Sequence, residues 1–284
     1  MNTMLLPERS TSESENDITS FREDLRYAIQ NKRLEVHYQP KVDLRDGSNG
    51  HFEALVRWND SKMGFVSPAA FIPIAEEMGL IDEVTKIVID RVVFDLCSWR
   101  QSGVPVKSVA INISARHFSN EERAKTLMSW LTQESFPTEF ITLELTETAM
   151  LCHPDIARKY LHMLHYIGFR IALDDFGTGY SSVTHLLDFP ISEIKIDRSF
   201  VTDICQSFKC QAIVRALSGL AKALSIDIVA EGIEHLDALA VLQTLGCSFG
   251  QGYIFAKPLP EAQVLEYLLR QTSSSAILSN VAAL

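Results

Sequence analysis

Short apolar runs alternate along this chain with longer stretches whose apolar residues recur at helical spacing. Residues 84–100 carry apolar side chains at 84, 87, 88, 92, 96 and 99, the stripe of an amphipathic helix. Similar spacing predicts helices over 155–167, 209–225 and 261–270. The intervening runs are short and apolar, as expected of buried strands. The predicted strands are 34–44, 51–58, 109–113, 141–145, 170–174, 193–196, 227–230 and 249–255.

Eight strands that alternate with helices favour a closed barrel over a doubly wound sheet. The chain has 284 residues, and such barrels typically take about 250, although two smaller domains would fit the length equally well. Residues Asp46-Gly47-Ser48 are typical of a hairpin turn between the first two strands, which makes one strand antiparallel. The sequence therefore predicts an α/β fold, a modified TIM (β/α)8 barrel with one antiparallel strand.

The two ends of the chain differ from its centre. Residues 1–20 are polar and rich in Ser and Glu, which predicts a disordered leader, and 271–284 resembles a flexible tail. The barrel domain is expected over 21–270. The leader lacks the basic and apolar regions of a signal peptide, and no run of about 18 apolar residues indicates a membrane span. We therefore expect a cytoplasmic protein.

Composition narrows the classes of partner. Lys and Arg number 26 against 36 Asp and Glu, a net charge of −10, which argues against polynucleotide binding because that binding depends on basic surface. A small phosphodiester held through metal ions remains compatible with the acidic balance. Five cysteines at irregular spacing, without a Cys-x-x-Cys motif, predict reduced, buried thiols.

Polar or charged residues stand at the ends of seven of the apolar runs. They are Glu53, Asn112, Glu144, Asp174, Asp175, Lys195, Glu231 and Gln251. In a (β/α)8 barrel the carboxyl ends of the strands meet at one rim, where the active site lies. Oxygen ligands without His or Cys favour Mg²⁺, Mn²⁺ or Ca²⁺ over zinc. The pattern indicates metal-assisted chemistry on a phosphorylated substrate.

Single members of this set are weaker indicators than the set. Glu53 or Glu144 alone could equally cap a helix or face solvent. The adjacent acids Asp174 and Asp175 would repel one another without a cation, and they suit the bridging position of a two-metal site; capping by one and solvation of the other is the alternative. Lys195 could hold a hydroxide or a phosphate oxygen, or lie at the surface.

Several motifs in the chain resemble the EAL-type cyclic di-GMP phosphodiesterases. They are Tyr38-Gln39-Pro40, Glu53-Ala54-Leu55-Val56-Arg57-Trp58, Asn112-Ile113-Ser114-Ala115, Glu144-Leu145-Thr146-Glu147, Asp174 through Ser182, Ile194-Lys195-Ile196-Asp197, Ala230-Glu231-Gly232-Ile233-Glu234 and Gln251-Gly252-Tyr253. The resemblance extends from about 21 to 270. It implies hydrolysis of cyclic di-GMP to linear pGpG with Mg²⁺ or Mn²⁺, two per site, and inhibition by Ca²⁺.

The same resemblance implies roles for single residues. The metal ligands it implies are Glu53, Asn112, Glu144, Asp174, Asp175 and Glu231, and its catalytic residues are Lys195, Glu231, Gln251 and Glu53. Lys195 and Gln251 would position the attacking water, which Lys195 or Glu231 would help to deprotonate. Gln39 and Arg57 would contact the dinucleotide, although Arg57 alone could equally form a structural ion pair.

The resemblance also implies a homodimer. Glu147 would anchor the rim loop at 176–182, which couples metal occupancy to dimerisation through the rim-loop face. The chain departs from the family at Asn59-Asp60-Ser61-Lys62, where members often have His-Pro. Two alternatives stay open: a catalytically silent cyclic di-GMP receptor that acts through a protein partner, and a metal-dependent barrel hydrolase for another phosphodiester.

Overall fold

The computed structural model describes residues 11–133, 136–177 and 185–271, with side chains from residue 17 and excluding those of 185 and 271. The elements in chain order are α1 (Thr11–Gln30), β1 (Leu34–Asp43), β2 (His51–Asp60), β3 (Gly64–Val66), α2 (Pro68–Glu77), α3 (Ile81–Gln101), β4 (Ser108–Asn112), α4 (Glu121–Leu131), β5 (Ile141–Thr146), α5 (Glu147–Leu151), α6 (Pro154–Tyr166), β6 (Arg170–Phe176), α7 (His185–Asp188), β7 (Glu193–Ile196), α8 (Arg198–Thr202), α9 (Phe208–Leu224), β8 (Asp227–Ala230), α10 (Leu236–Thr244), β9 (Phe249–Gln251), β10 (Leu259–Pro260) and α11 (Glu261–Gln271).

Eight of the strands close into a barrel, which confirms the predicted fold. Their order around the barrel is β1-β9-β8-β7-β6-β5-β4-β2, and β1 pairs with β2 to complete the ring. Neighbours from β2 through β9 are parallel, whereas β1 runs antiparallel to β9. The one antiparallel strand follows from the hairpin between β1 and β2, where Gly47 has a φ of 74° and its N–H donates to the Asp43 carbonyl.

The parallel strands are buried along almost their whole length. In β4, β5 and β7 every residue is buried except the last one of β4 and of β5. Continuous burial is typical of parallel strands whose two faces are both covered. Because helices cover the outer face, the polar side chains that face the lumen cannot reach bulk solvent except at the ends of the barrel.

The chain divides into two compact units, residues 1–35 with 56–87, and 36–55 with 88–284. The first unit has its own apolar core around Trp58, whose ring lies 5.3 Å from that of Phe21 and 5.8 Å from that of Phe71. Arg22 and Glu77 form an ion pair of 2.8 Å in the same unit. The second unit contains most of the barrel.

Some elements differ from the prediction. The strand expected over 249–255 ends at Gln251, because the chain turns there and the Phe255 N–H donates to the Gly252 carbonyl. The backbone of Ile233 packs so closely on Gly252 that a Cβ there would overlap it. Helix α1 begins at Thr11, so residues 11–20 of the predicted leader are helical. Residues 1–10 and 272–284 lie outside the described residues, and the domain bounds stay a prediction.

The cysteines are free, as predicted, but the expectation that they are buried is wrong for most of them. Cys97, Cys152 and Cys205 are exposed, Cys210 is intermediate, and Cys247 is buried. The exposed thiols lie on or beside helices, where the apolar stripe covers only one face. Among the described residues, no helix has the length and apolar character that crossing a bilayer would demand.

Candidate active site

Seven strands deliver polar side chains to one end of the barrel. Strand register brings them side by side: Asn112 of β4 lies opposite Glu144 of β5, and Thr146 lies opposite Asp174 of β6. Glu53 enters from β2, Lys195 from β7 and Gln251 from β9, while Glu231 directly follows β8. The structure thus assembles side chains that are up to 198 residues apart in the sequence.

Lys195 lies at the centre of the site and is 1% exposed. Its Nζ is 2.7 Å from Glu231, 2.9 Å from Glu144, 3.3 Å from Asp174 and 3.5 Å from Glu53. The alternative that Lys195 lies at the surface is therefore wrong, because all four carboxylates converge on its ammonium group from different strands. We call Lys195 and the five carboxylates Glu53, Glu144, Asp174, Asp175 and Glu231 the acid cluster.

Two amides fix the orientation of Glu53. Asn112 Nδ2 donates to Glu53 Oε1 at 2.8 Å, and Gln251 Nε2 donates to Glu53 Oε2 at 2.6 Å. Gln251 Nε2 also lies 3.4 Å from Gln39 Oε1. The remaining amide oxygen of Gln251 is buried without a hydrogen-bond partner among the described residues, so it offers an acceptor to a water or cation in the site.

The adjacent acids Asp174 and Asp175 both reach the site because the strand is irregular there. Neighbouring residues of a regular strand point to opposite faces. Asp175 instead has a φ of 55°, in the left-handed region, and the register between β6 and β7 shifts between Leu173 and Phe176. Carboxylate oxygens of Asp174, Asp175 and Glu231 consequently lie within 4.8 Å of one another, a group that can hold a metal ion.

Burial and crowding of like charges shift the pKa values of this cluster. Burial raises the pKa of Glu231 to about 7, against the opposing effect of Lys195. Burial likewise raises the pKa of Glu144 well above its ordinary value, and burial together with Asp174 raises that of Asp175. Without a cation, these shifts favour the protonated form of the three carboxyls, and a metal ion would have to displace any proton bound there.

The pKa values of Glu53 and Lys195 shift in the directions that keep both groups charged. Burial raises the pKa of Glu53, but Lys195 and the amides of Asn112 and Gln251 outweigh burial, and the net pKa is lowered. Burial lowers the pKa of Lys195, but Glu144, Glu231 and Glu53 outweigh it, and the net pKa lies well above its ordinary value. Lys195 is thus a fixed positive charge rather than a proton acceptor at neutral pH.

A cavity of about 220 Å³ opens onto the cluster. Its lining residues are Gln39, Glu53, Leu55, Asp174, Lys195, Arg198, Glu231, Gly232, Glu234, Gln251, Gly252 and Tyr253. The roles of Arg198, Glu234 and Tyr253 were not predicted from the sequence. Arg198 forms a 2.9 Å ion pair with Glu234. Gly232 has a φ of 69°, and a Cβ at this position would overlap the Arg198 side chain, so glycine leaves room for it.

Two predicted site residues, Arg57 and Glu147, neither belong to the acid cluster nor line this cavity. Arg57 belongs to the first unit, where its guanidinium donates to the Val56 carbonyl at 2.9 Å. Glu147 is the first residue of α5, and most of the loop that it was expected to anchor lies outside the described residues. A substrate contact for Arg57 and loop anchoring by Glu147 stay predictions.

Comparison with known proteins identifies the family. The family model described as EAL domain matches residues 22–258. The chain belongs to the EAL domain family. The cyclic di-GMP phosphodiesterase PdeR of Escherichia coli is 40% identical over 237 residues, which are 84% of this chain and 36% of that protein. An uncharacterised Sinorhizobium fredii protein, y4lL, is 38% identical over 252 residues, 89% of this chain and 30% of that protein.

Solved EAL structures show the same fold. The PaMucR phosphodiesterase in complex with c-di-GMP has a TM-score of 0.81 and 35% identity, and the match covers 86% of this chain and 99% of that one. The EAL enzyme Bd1971, bound to cAMP and cyclic di-GMP, has a TM-score of 0.82 and 36% identity, and the match covers 90% of this chain and 70% of that one. The chain spans about a third of the length of the curated relatives it matches.

Proposed function

We propose that this EAL protein is a metal-dependent phosphodiesterase that hydrolyses cyclic di-GMP to linear pGpG. The observation that carries the proposal is the acid cluster itself, in which four carboxylates lie within 3.5 Å of the Lys195 ammonium group and Asp175 adjoins two of them at the mouth of a cavity. The names of PdeR and of the MucR phosphodiesterase support cyclic di-GMP as the substrate.

The donor set fits divalent cations. When all five carboxylates of the acid cluster are ionised, Lys195 balances only one of their charges. Oxygen-only ligands with an excess of negative charge are the surroundings in which Mg²⁺ or Mn²⁺ binds. Glu53, Asn112, Glu144, Asp174, Asp175 and Glu231 would hold the ions. Bound divalent cations would supply Lewis acidity and neutralise charge that develops on the phosphodiester.

The remaining groups would position the attacking water and the substrate. The Lys195 ammonium is a donor that can hold an anionic oxygen. The amide oxygen of Gln251, which accepts no hydrogen bond from the described residues, can accept one from a water. Glu231, with a pKa of about 7 and its carboxyl 2.7 Å from Lys195, can accept a proton from that water near neutral pH. Gln39 lines the cavity beside Gln251 and would contact the dinucleotide.

The proposal is tested by chromatography of cyclic di-GMP after incubation with the purified protein. Formation of pGpG with Mg²⁺ or Mn²⁺, and none with Ca²⁺ or chelator, is the expected result. Lys195→Met should lose turnover, whereas Lys159→Met should keep it, because Lys159 is a half-exposed surface lysine paired with Glu121. Folded protein that binds cyclic di-GMP without turnover in any metal would favour the alternative, a receptor acting through a protein partner.

We also propose a homodimer through the rim-loop face, with Glu147 coupling it to metal occupancy. The position of Glu147 supports this proposal: it starts α5 directly after β5, which carries Glu144. Light scattering with and without Mn²⁺ measures the oligomeric state, and a monomer under both conditions at micromolar concentration would contradict the proposal.

A further inference from the structure

A second buried lysine lies in the barrel lumen below the acid cluster. Lys41 of β1 contacts both carboxylate oxygens of Glu193 of β7, at 2.6 and 2.7 Å. Their side chains are 4% and 3% exposed. We call Lys41 and Glu193 the lumen pair. Because β9 and β8 separate β1 from β7 in the ring, the two side chains meet across the inside of the barrel.

Strand geometry sets the lumen pair directly beneath the cluster. Glu193 and Lys195 are two residues apart on β7, so their side chains point to the same face, roughly 6–7 Å apart along the strand. On the other side of the lumen, Lys41 lies in register with Gln251, whose amide holds Glu53. The lumen pair is therefore the layer of side chains next to the proposed metal ligands.

We propose that Glu193 is a positioning residue that holds the Lys41 ammonium away from the acid cluster and thereby preserves the affinity of the cluster for divalent cations. The proposal rests on the metal-dependent function above. The charge of Lys41 already extends to the cluster, since it is among the charges that lower the pKa of Glu144. With Glu193 beside it, most of that charge is cancelled.

Loss of the Glu193 charge would change this balance. In Glu193→Gln the Lys41 ammonium keeps a hydrogen-bond acceptor but no counter-charge, and the nearest excess of negative charge is the acid cluster. The variant therefore has one more positive charge in the layer next to the acid cluster than the wild type has. In the poorly solvated lumen, that charge repels a divalent cation bound at the cluster. In the double variant Lys41→Met/Glu193→Gln the layer is neutral again. The charge argument therefore predicts that this variant regains the affinity for divalent cations.

The experiment is titration calorimetry of Mn²⁺ into the full chain, with turnover of cyclic di-GMP measured on the same samples. Glu193→Gln should weaken Mn²⁺ binding by at least roughly tenfold, and Lys41→Met/Glu193→Gln should return to within about threefold of the wild type. Lys41→Met alone should bind Mn²⁺ no more weakly than the wild type. Asp95→Asn, which alters a buried acid paired with Arg91 on α3, should leave the affinity unchanged.

The outcomes separate this inference from the proposed function. If the wild type binds Mn²⁺ and hydrolyses cyclic di-GMP while Glu193→Gln binds Mn²⁺ equally well, the role of Glu193 is refuted and the function stands. Equal losses in Glu193→Gln, Lys41→Met and the double variant would indicate lost packing instead of charge and would also refute it. If Glu193→Gln does not fold, Lys41→Met and the double variant still test the charge argument. A wild type that binds no Mn²⁺ would overturn both proposals.

Discussion

The barrel lumen contains two buried lysines in adjacent layers, and they differ in the number of carboxylates around them. Among the described residues, Lys41 has one carboxylate partner, Glu193, which contacts it through both oxygens. Lys195 has four carboxylates within 3.5 Å. A balanced pair satisfies its own charges, whereas an ammonium group outnumbered by carboxylates leaves negative charge that bound protons or metal cations must neutralise. The comparison suggests that the excess of acid, more than burial itself, distinguishes a site for chemistry from an internal ion pair.

The largest effect on turnover is expected when a carboxylate of the acid cluster is removed. Asp174→Ala removes a carboxylate from the group it forms with Asp175 and Glu231, and turnover should fall by more than roughly 100-fold, since even outer-shell changes at metal sites cost 10–100-fold. Steady-state kinetics in Mn²⁺ measures the loss. Asp155→Ala, at an acid that is 89% exposed, is the matched control; comparable losses in both variants would contradict a specific role for Asp174.

The acid cluster, unlike the balanced lumen pair, should bind metal in a way that depends on pH. The pKa of Glu231 is raised to about 7 by burial, so the carboxyl is largely protonated below that pH and ionised above it. Metal must displace the proton, and we expect the rise in Tm on adding Mn²⁺ to grow as pH increases from about 6 to about 8. Thermal scans in Mn²⁺ and in chelator measure it.

The matching variant for the pH series is Glu231→Gln. It removes the titrating carboxyl, so the increase in Tm with Mn²⁺ should become flatter between the same pH values. An unchanged pH dependence in this variant would assign the titration to another group of the cluster.

The metal-free protein should show the opposite trend. Because the folded-state pKa of Glu231 lies above its ordinary value, ionising the carboxyl opposes folding, so this group reduces the free energy of unfolding as pH rises from about 4.5 to about 7. Chemical denaturation in chelator at several pH values measures this contribution, with Glu231→Gln as the reference.

A smaller effect is expected at Glu147. Glu147→Ala should lower the free energy of unfolding by no more than about 1 kcal/mol, because Glu147 is a half-buried acid in the first turn of α5. It should also reduce the change in molecular mass with Mn²⁺ or raise the Mn²⁺ concentration needed for half activity. Light scattering and a metal titration of turnover measure the two. Identical values for the wild type and the variant would remove Glu147 from the proposed coupling.

The smallest effect on activity is expected outside the lumen. Tyr38 donates a buried 2.6 Å hydrogen bond to Asp95, which Arg91 also contacts. Tyr38→Phe should lower the free energy of unfolding by about 1–2 kcal/mol and leave Mn²⁺ affinity as it is. A large loss of metal affinity in this variant would show that the two lumen layers are sensitive to any change in strand β1.

The strand ends of the site could be predicted because each polar residue interrupts an apolar run, and parallel strands end at the same rim. The position of Asp175 could not, since alternation places it opposite Asp174 and only its left-handed φ returns it to the site. Arg198 begins α8 shortly after β7, and Glu234 lies in the loop after β8. No periodicity in the sequence specifies how these two connections bring the side chains together.

The lumen pair was missed for a different reason. Lys41 and Glu193 are 152 residues apart, and each alternates with apolar neighbours as a surface residue of an exposed strand would. Only the order of strands around the closed barrel shows that the two meet inside it. Helices and strands can therefore be predicted from local sequence patterns, whereas side-chain contacts across the lumen depend on how the strands are ordered in the closed barrel.

The pairing of β1 with β9 also bears on how the protein folds. Gln39 and Gln251, which lie beside one another where these strands meet, are 212 residues apart. A ribosome must therefore synthesise most of the chain before the ring can close, and pairings between distant segments form slowly. Until then, β1 and the inner faces of the parallel strands stay exposed to solvent, and we expect this interval to be when the nascent chain is most prone to aggregation.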